Sequence, residues 1–166
     1  MSEVKKTVKQ DWALLPFLGL TLMGFAAAIL DFVYRQNFSF QLFAVTGLLL
    51  LVFGGIIQLK ARLELKRKAG FSSNTATGRL KIVESHQLVR DGLYTHIRHP
   101  IYFGEILRNL GFVIIFSSVY GLLIIFLALT LLYFRIEIEE KILAAKFGNE
   151  FEDYKKNTKR IVPYIY

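Results

Sequence analysis

The sequence contains no cysteine, and only 3 of its 166 residues are histidine. The absence of thiols excludes disulfides, thiolate nucleophiles, cysteine-bound zinc and iron–sulfur clusters. Glycine-rich nucleotide motifs of the forms G-x-G-x-x-G and G-x-x-x-x-G-K-[ST] are missing, as are the hydrolase motifs H-E-x-x-H and G-x-S-x-G. The chemistry of this chain must therefore come from carboxylates, arginine, tyrosine, the few histidines or a bound cofactor.

Charged residues are missing from three long stretches, residues 13–30, 36–59 and 109–134. The first two are each long enough for a helix that crosses a hydrocarbon core of about 30 Å. Hydrophobic residues make up 54% of the sequence and are concentrated in these stretches. This pattern predicts an all-α integral membrane protein.

The positions of the basic residues indicate how often the chain crosses the membrane. They gather before residue 10, between residues 60 and 98, and from residue 135 onward. Under the positive-inside rule all three regions face the cytoplasm, which requires an even number of crossings between residues 98 and 135. We therefore predict a helical hairpin with its turn at Ser117-Ser118 instead of one steeply tilted span.

The sequence thus predicts about four transmembrane helices, of which the last two form the hairpin, with both termini cytoplasmic. The predicted segments are a first span at 12–34, a second at 38–60, a basic cytoplasmic loop at 61–98, the hairpin at 99–116 and 119–141, and a C-terminal segment at 142–166. Leu143, Phe147, Phe151 and Tyr154 recur every three to four residues and predict a C-terminal interfacial amphipathic helix. Contact with the bilayer explains the net charge of +8, so we expect no nucleic-acid partner.

A helix is expected to begin at Pro100, because proline suits the first helical turn. The free backbone N–H groups of Ile101 and Tyr102 would then point toward the preceding loop, where they favour an anion. Arg98 and His99 add positive charge at the same place. The alternative is an ordinary helix start at the membrane interface, with Arg98 and His99 contacting lipid headgroups.

Three polar residues lie on the next turns of that helix. Glu105, Arg108 and Asn109 are spaced i, i+3 and i+4. Ionisable groups inside a membrane helix are costly unless they pair or line a polar cavity, so they indicate a functional site. The alternative is a Glu105–Arg108 ion pair that only ties helices together.

The hairpin returns a second polar cluster, which includes Glu139 and Glu140, to the membrane level of His99. A pocket shared between the two ends of the hairpin is therefore geometrically possible. His96 and His99 are spaced i, i+3 but have no third close ligand, so we expect no metal site.

The second half of the sequence resembles the isoprenylcysteine carboxyl methyltransferase family and the related phospholipid methyltransferases. The resemblance covers residues 88–166 and rests on Gly92, Tyr94, the run Arg98-His99-Pro100-x-Tyr102-x-Gly104, Glu139-Glu140, Leu143, Phe147-Gly148, Tyr154, Arg160 and Pro163. It implies a membrane methyltransferase that uses S-adenosyl-L-methionine and takes a lipophilic substrate from the bilayer. It also implies that His99, Tyr102, Glu139 and Glu140 contact the cofactor.

The residue-level interpretation adds to this set of site residues. The helix start at Pro100 and Ile101 would hold the methionine carboxylate, and Tyr94 would offer an aromatic face to the sulfonium. Arg98, Arg108 and Asn109 are candidates for orienting an acceptor carboxylate. Glu105 would either balance Arg108 or act as a base toward an amine.

The methyl acceptor stays open at this point. An isoprenylcysteine-type carboxylate is the first choice and a phospholipid amine the second. The ending Pro163-Tyr164-Ile165-Tyr166 is similar to that of NADPH-dependent membrane sterol reductases, and a non-catalytic membrane scaffold is a further alternative. A methyltransferase of this kind is expected in the cell membrane of a prokaryote or in the endoplasmic reticulum of a eukaryote.

Overall fold

The computed structural model describes residues 12–35, 41–69 and 88–162. These residues form five α-helices and one 3₁₀ turn, with no β-strand among them. The helices are α1 Leu14–Arg35, α2 Gln41–Ala69, α3 Pro100–Ile115, α4 Val119–Phe147 and α5 Asn149–Asn157, and the 3₁₀ turn is Gly92–Thr95. The all-α prediction is confirmed for the described part of the chain. The basic residues before residue 10, the first residues of the segment 38–60, the middle of the loop 61–98 and the ending Pro163–Tyr166 lie outside it.

Two helices continue beyond the predicted membrane spans. α2 continues to Ala69 and α4 to Phe147, whereas the predicted spans end at residues 60 and 141. The predicted span 38–60 ends where charge begins at Lys60, and the predicted span 119–141 ends within a charged stretch that begins at Arg135. Both helices continue because neither glycine nor proline follows until Gly70 and Gly148. The first part of the predicted loop 61–98 is therefore helical.

Three of the described helices are long and apolar enough to cross a membrane. They are Leu14–Arg35, the Leu42–Arg67 part of α2, and Val119–Phe147. α3 has 16 residues, which is about 24 Å at 1.5 Å per residue and short of a full hydrocarbon core. The predicted hairpin is present as α3 and α4, but length and composition identify three candidate spans among the described residues.

The helices pack as two close pairs, α2 along α3 and α1 along α4. Glycines bring the backbones of α2 and α3 together. A Cβ atom built on Gly54 would lie 2.6 Å from the carbonyl oxygen of Gly104, and a Cβ atom built on Gly47 would lie 2.7 Å from the carbonyl oxygen of Gly111. Because Gly47 and Gly54 repeat at the same interval as Gly104 and Gly111, the two helices meet along one glycine-lined seam.

The two pairs join through an apolar cluster of α1, α3 and α4. Phe17 of α1 packs with Tyr102 of α3 and with Leu132 and Ile136 of α4. This cluster lies at the end of the bundle where α2 ends, α3 begins and α4 ends, which we call the site end. The cluster fixes the start of α3 against the last turns of α4.

The helical path is interrupted twice, once at each end of α4. Ser117, with φ 51°, and Ser118, whose hydroxyl accepts a hydrogen bond from the Gly121 N–H, form the turn that leads into α4. At the other end Gly148, with φ 53°, separates α4 from α5. The predicted C-terminal amphipathic helix is therefore divided at this glycine, with Leu143 and Phe147 on α4 and the buried Phe151 and Tyr154 on α5.

Candidate functional site

Backbone hydrogen bonds tie the start of α3 to the segment that follows α5. The N–H of Arg98 donates to the carbonyl of Lys159 at 2.8 Å, and the N–H of Lys159 donates to the carbonyl of His96 at 3.1 Å. The N–H of His99 donates to the carbonyl of Arg160 at 3.1 Å. Residues distant in the sequence are thereby held side by side at the site end.

Glu140 of α4 lies at the centre of a group of charged side chains. Its Oε1 atom is 2.9 Å from Nε of Arg98 and 3.2 Å from Nε2 of His99, and its Oε2 atom is 3.2 Å from a guanidinium nitrogen of Arg160. Arg160 also pairs with Glu137. Because Glu140, Arg98 and Arg160 are each about nine-tenths buried, the ion pairs are poorly screened by water and hold α4, α3 and the C-terminal segment together.

The guanidinium of Arg98 has further partners in the backbone. It donates hydrogen bonds to the carbonyl oxygens of Thr158 and Lys155 at the end of α5. A helix leaves its last carbonyl groups without intrahelical donors, so Arg98 caps α5 while it binds Glu140. These contacts give Arg98 a holding role in addition to the acceptor role that the sequence predicts.

Glu139, next to this network, keeps an oxygen atom without a hydrogen-bond partner. Its Oε2 atom is buried and lies 3.8 Å from Nδ1 of His99. Close by, α3 begins at Pro100 and the side chain of His99 does not cap it, so the N–H groups of Ile101 and Tyr102 have no acceptor inside the helix. One acceptor and two donors therefore lie together at the start of α3.

Tyr94 and Tyr154 connect the site end to the helices around it. The hydroxyl of Tyr154 donates to the carbonyl oxygen of Tyr94 at 2.7 Å, and the hydroxyl of Tyr94 donates to that of Ala61 at 3.4 Å. Burial raises the pKa of both phenols well above the ordinary value, so both stay neutral hydrogen-bond donors. The structure thus places Tyr94 between α2 and α5, with its ring packed against Ala61 and Val89.

A second polar group lies deeper along α3. Arg108 donates from Nη1 to the amide oxygen of Gln58 on α2 at 2.8 Å, and its Nη2 atom is 3.5 Å from Oε1 of Glu105. From α4, the guanidinium carbon of Arg135 lies 5.8 Å from the ring centroid of Tyr102. The structure therefore brings Glu105 and Arg108 together, as their spacing predicts.

Asn109 is separated from this group. It is fully buried, and neither polar atom of its side chain has a hydrogen-bond partner. Its face of α3 also carries Val113, which packs against Ala28 and Ile125 of α1 and α4, whereas Arg108 contacts α2. Asn109 therefore faces the α1–α4 pair, and the predicted shared face of Glu105, Arg108 and Asn109 is divided between two sides of α3.

Four residues of the site end were not chosen from the sequence. They are Gln58, Glu64, whose carboxylate accepts the Leu93 N–H at 2.9 Å, Arg135, and Arg160 as a partner of Glu137 and Glu140. Gln58 could have been identified from the sequence, since it is the last polar residue of an uncharged run and follows Gly54 by about one helical turn. No sequence pattern indicates the pairing of Arg160, because it depends on a contact across the fold.

Together the fold and the site define a helical membrane protein with a buried group of charged residues at one end of its bundle. A sequence profile of the phospholipid methyltransferase family matches residues 42–150, which is well over half of the chain. The chain therefore belongs to the phospholipid methyltransferase family, and the resemblance inferred from the sequence is confirmed.

Relatives with curated names agree with the family. The chain is 31% identical to the protein-S-isoprenylcysteine O-methyltransferase of Schizosaccharomyces pombe over 78% of its own length and 53% of the relative's. It is 34% identical to the human protein of that name over 74% of its own length and 42% of the relative's. The chain thus spans about half the length of the curated relatives it matches.

A solved structure shows the same fold. The structure of the eukaryotic intramembrane Ras methyltransferase ICMT superposes with a TM-score of 0.71 at 20% sequence identity, over 90% of this chain and 53% of the other. The long apolar helices and this likeness identify an integral membrane protein.

Proposed function

We propose that the protein is an S-adenosyl-L-methionine-dependent methyltransferase that methylates a lipophilic acceptor at the membrane interface, with an isoprenylcysteine-type carboxylate as the acceptor. The observation that carries the proposal is the pairing of the open helix start at Pro100 with the unpartnered carboxylate oxygen of Glu139. The names of the relatives support the reaction and the acceptor.

The residues at the start of α3 fit the amino-acid part of this cofactor. Its carboxylate would accept hydrogen bonds from the N–H groups of Ile101 and Tyr102, and its ammonium would donate to Oε2 of Glu139. His99 and Glu140 hold this arrangement in place from behind, because both are tied into the network with Arg98 and Arg160. Tyr94 and Tyr102 supply aromatic surface at the same end.

When bound, S-adenosyl-L-methionine supplies a methyl group that is attached to a positively charged sulfur. After transfer, the sulfur is left as a neutral thioether. A carboxylate acceptor is already ionised at neutral pH, so this chain needs no general base for it. Its task is to hold the acceptor oxygen in line with the methyl group.

Arg108 is the residue that we assign to holding the acceptor. Helical side chains lean toward the N-terminus of their helix, so its guanidinium lies closer to the site end than its own Cα does. Glu105 and Gln58 fix it in place from α3 and α2. Arg98 contributes through the position it gives to the start of α3. Asn109, the other acceptor candidate from the sequence, faces the α1–α4 pair on the opposite side of α3 from Arg108, so we assign it no contact with the acceptor.

The membrane arrangement that we propose keeps both termini and the loop 61–98 in the cytoplasm. α3 then serves as the fourth membrane helix, and α5 lies at the interface and covers the site end. The membrane would be the cell membrane in a prokaryote or the endoplasmic reticulum in a eukaryote.

A phospholipid amine is the second candidate acceptor. Glu105 favours it, because this mostly buried carboxylate lies beside Arg108 and could take the proton that an ammonium must lose before methylation. The two candidates differ in whether Glu105 or Arg108 contacts the acceptor.

The cofactor assignment is tested by thermal unfolding of the purified protein with S-adenosyl-L-methionine and, separately, with NADPH. At a hundredfold excess over Kd, S-adenosyl-L-methionine should stabilise the protein by about 2.7 kcal/mol, and NADPH should not. Glu139→Gln should weaken cofactor binding by about 10- to 100-fold, because a charge-assisted hydrogen bond contributes roughly 1.5–3 kcal/mol.

Glu152→Gln is the matched control, since Glu152 is exposed and pairs only with Lys155 among the contacts described. It should leave binding unchanged. Stabilisation by NADPH alone, or equal cofactor binding by wild type and Glu139→Gln, would contradict the assignment.

A further inference from the structure

Gln58 is a buried polar residue near the end of the uncharged part of α2, and the NH₂ half of its carboxamide has no hydrogen-bond partner. The residue is 5% exposed, and its amide oxygen accepts a hydrogen bond from Arg108 at 2.8 Å. A guanidinium group has no acceptor, so the oxygen of the amide must face it and the NH₂ group must face away. That NH₂ group is buried without a hydrogen-bond partner. A donor left in this state costs free energy unless a ligand satisfies it.

The position of Gln58 is fixed by the glycine seam. A Cβ atom built on Gly104 would lie 2.8 Å from the backbone nitrogen and 3.0 Å from the Cβ of Gln58, so only glycine at 104 lets this side chain approach α3. The carboxamide therefore lies against α3 and reaches Arg108.

The depth of Gln58 separates it from the proposed cofactor site. It lies opposite Gly104, which is roughly 6 Å along α3 from the helix start at Pro100, toward the middle of the helix bundle. A lipophilic acceptor that enters from the bilayer would place its polar end at this depth. Arg108 has an incompletely buried guanidinium with further N–H donors beside the same carboxamide.

We propose that Gln58 is a second acceptor-binding residue, whose NH₂ group donates to the acceptor carboxylate together with Arg108 and so selects an acid over an amine. The proposal rests on the proposed methyl transfer. One N–H donor from Gln58 and one from Arg108 match the two oxygens of a carboxylate, whereas an ammonium or amine acceptor would meet donors only. Gln58 is thus assigned both to positioning and to acceptor specificity.

Gln58→Glu tests the proposal with little change in shape. The new carboxylate still pairs with Arg108, but it presents an oxygen where the acceptor carboxylate needs a donor. We expect the KM for a prenylcysteine acid to rise at least tenfold, and stabilisation of the protein by that acid in the absence of cofactor to fall. Thermal stabilisation by S-adenosyl-L-methionine should be unchanged, since the start of α3 is untouched.

Two further variants complete the experiment. Gln58→Met keeps the length of the side chain and removes the donor, so it should also raise the KM for the acid. The kcat/KM for an amine acceptor should then rise relative to the kcat/KM for the acid. Thr46→Val is the matched control on α2, because the Thr46 hydroxyl is exposed and bonds only the carbonyl of Leu42 among the contacts described. Unchanged acid binding by both Gln58 variants, with normal cofactor stabilisation, would overturn the role of Gln58 alone. A wild-type protein without cofactor binding or methyl transfer would instead overturn the proposed function.

Discussion

Glu140→Gln is expected to destabilise the protein by about 3–5 kcal/mol and to abolish measurable cofactor binding. The carboxylate of Glu140 is the shared partner of Arg98, His99 and Arg160. Its removal leaves two largely buried guanidinium groups without their common counter-charge, and breaking a buried pair from one side is costly on this scale. The start of α3 then loses its link to the C-terminal segment.

Glu137→Gln provides a matched control for this prediction. Glu137 lies one turn earlier on α4 and also pairs with Arg160, but its side chain is 36% exposed. Because solvent screens this pair, its loss should cost about 1 kcal/mol or less. Thermal unfolding and calorimetric titration with S-adenosyl-L-methionine measure both variants, and equal effects of the two substitutions would refute the central role of Glu140.

Gly104→Ala is expected to destabilise the protein by on the order of 3 kcal/mol and to raise the KM for the acceptor. The added Cβ would lie 2.5 Å from the carbonyl oxygen of Gly54 and 2.8 Å from the backbone nitrogen of Gln58. Both are backbone atoms, so α2 and α3 must move apart, which is the cost of overpacking a close helix contact. The hydrogen bond between Gln58 and Arg108 would be lost as the helices separate.

Adjacent glycines on α2 offer a direct comparison. Gly54→Ala should behave like Gly104→Ala, since its Cβ would lie 2.6 Å from the Gly104 carbonyl oxygen. Gly55→Ala meets no atom within 4 Å and should be neutral or stabilise by up to about 1 kcal/mol through helix propensity. If Gly54→Ala and Gly55→Ala unfold at the same temperature as wild type, the glycine seam does not hold these helices together.

Much of the helical framework could be predicted from the sequence because it depends on local patterns. Long uncharged runs predict α1, α2 and the hairpin, and Ser117-Ser118 predicts the turn between α3 and α4. The membrane spans were predicted to end at residues 60 and 141, whereas the helices themselves continue until a glycine follows. The repeat of Gly47 and Gly54 was visible, but which of Gly54 and Gly55 faces α3 depends on the packing.

The candidate site could be predicted where one sequence motif carries it. The helix start at Pro100 and the return of Glu139 and Glu140 to His99 follow from the motif and the hairpin. Tertiary packing sets the contact of Arg160 with Glu140 and the separation of Asn109 from Arg108, so neither could be predicted from the sequence. Local spacing defines which side chains lie near one another on a helix, but not which neighbouring helix each one faces.

The most direct test of the account is methyl transfer from radiolabelled S-adenosyl-L-methionine to a prenylcysteine with a free carboxylate, in vesicles that contain the purified protein. A phospholipid with a primary amine and a prenylcysteine whose carboxylate is already esterified serve as parallel acceptors. We expect label in the free acid alone, as a methyl ester that mild base releases. Label on the amine, or on no acceptor in a protein that binds the cofactor, would contradict it.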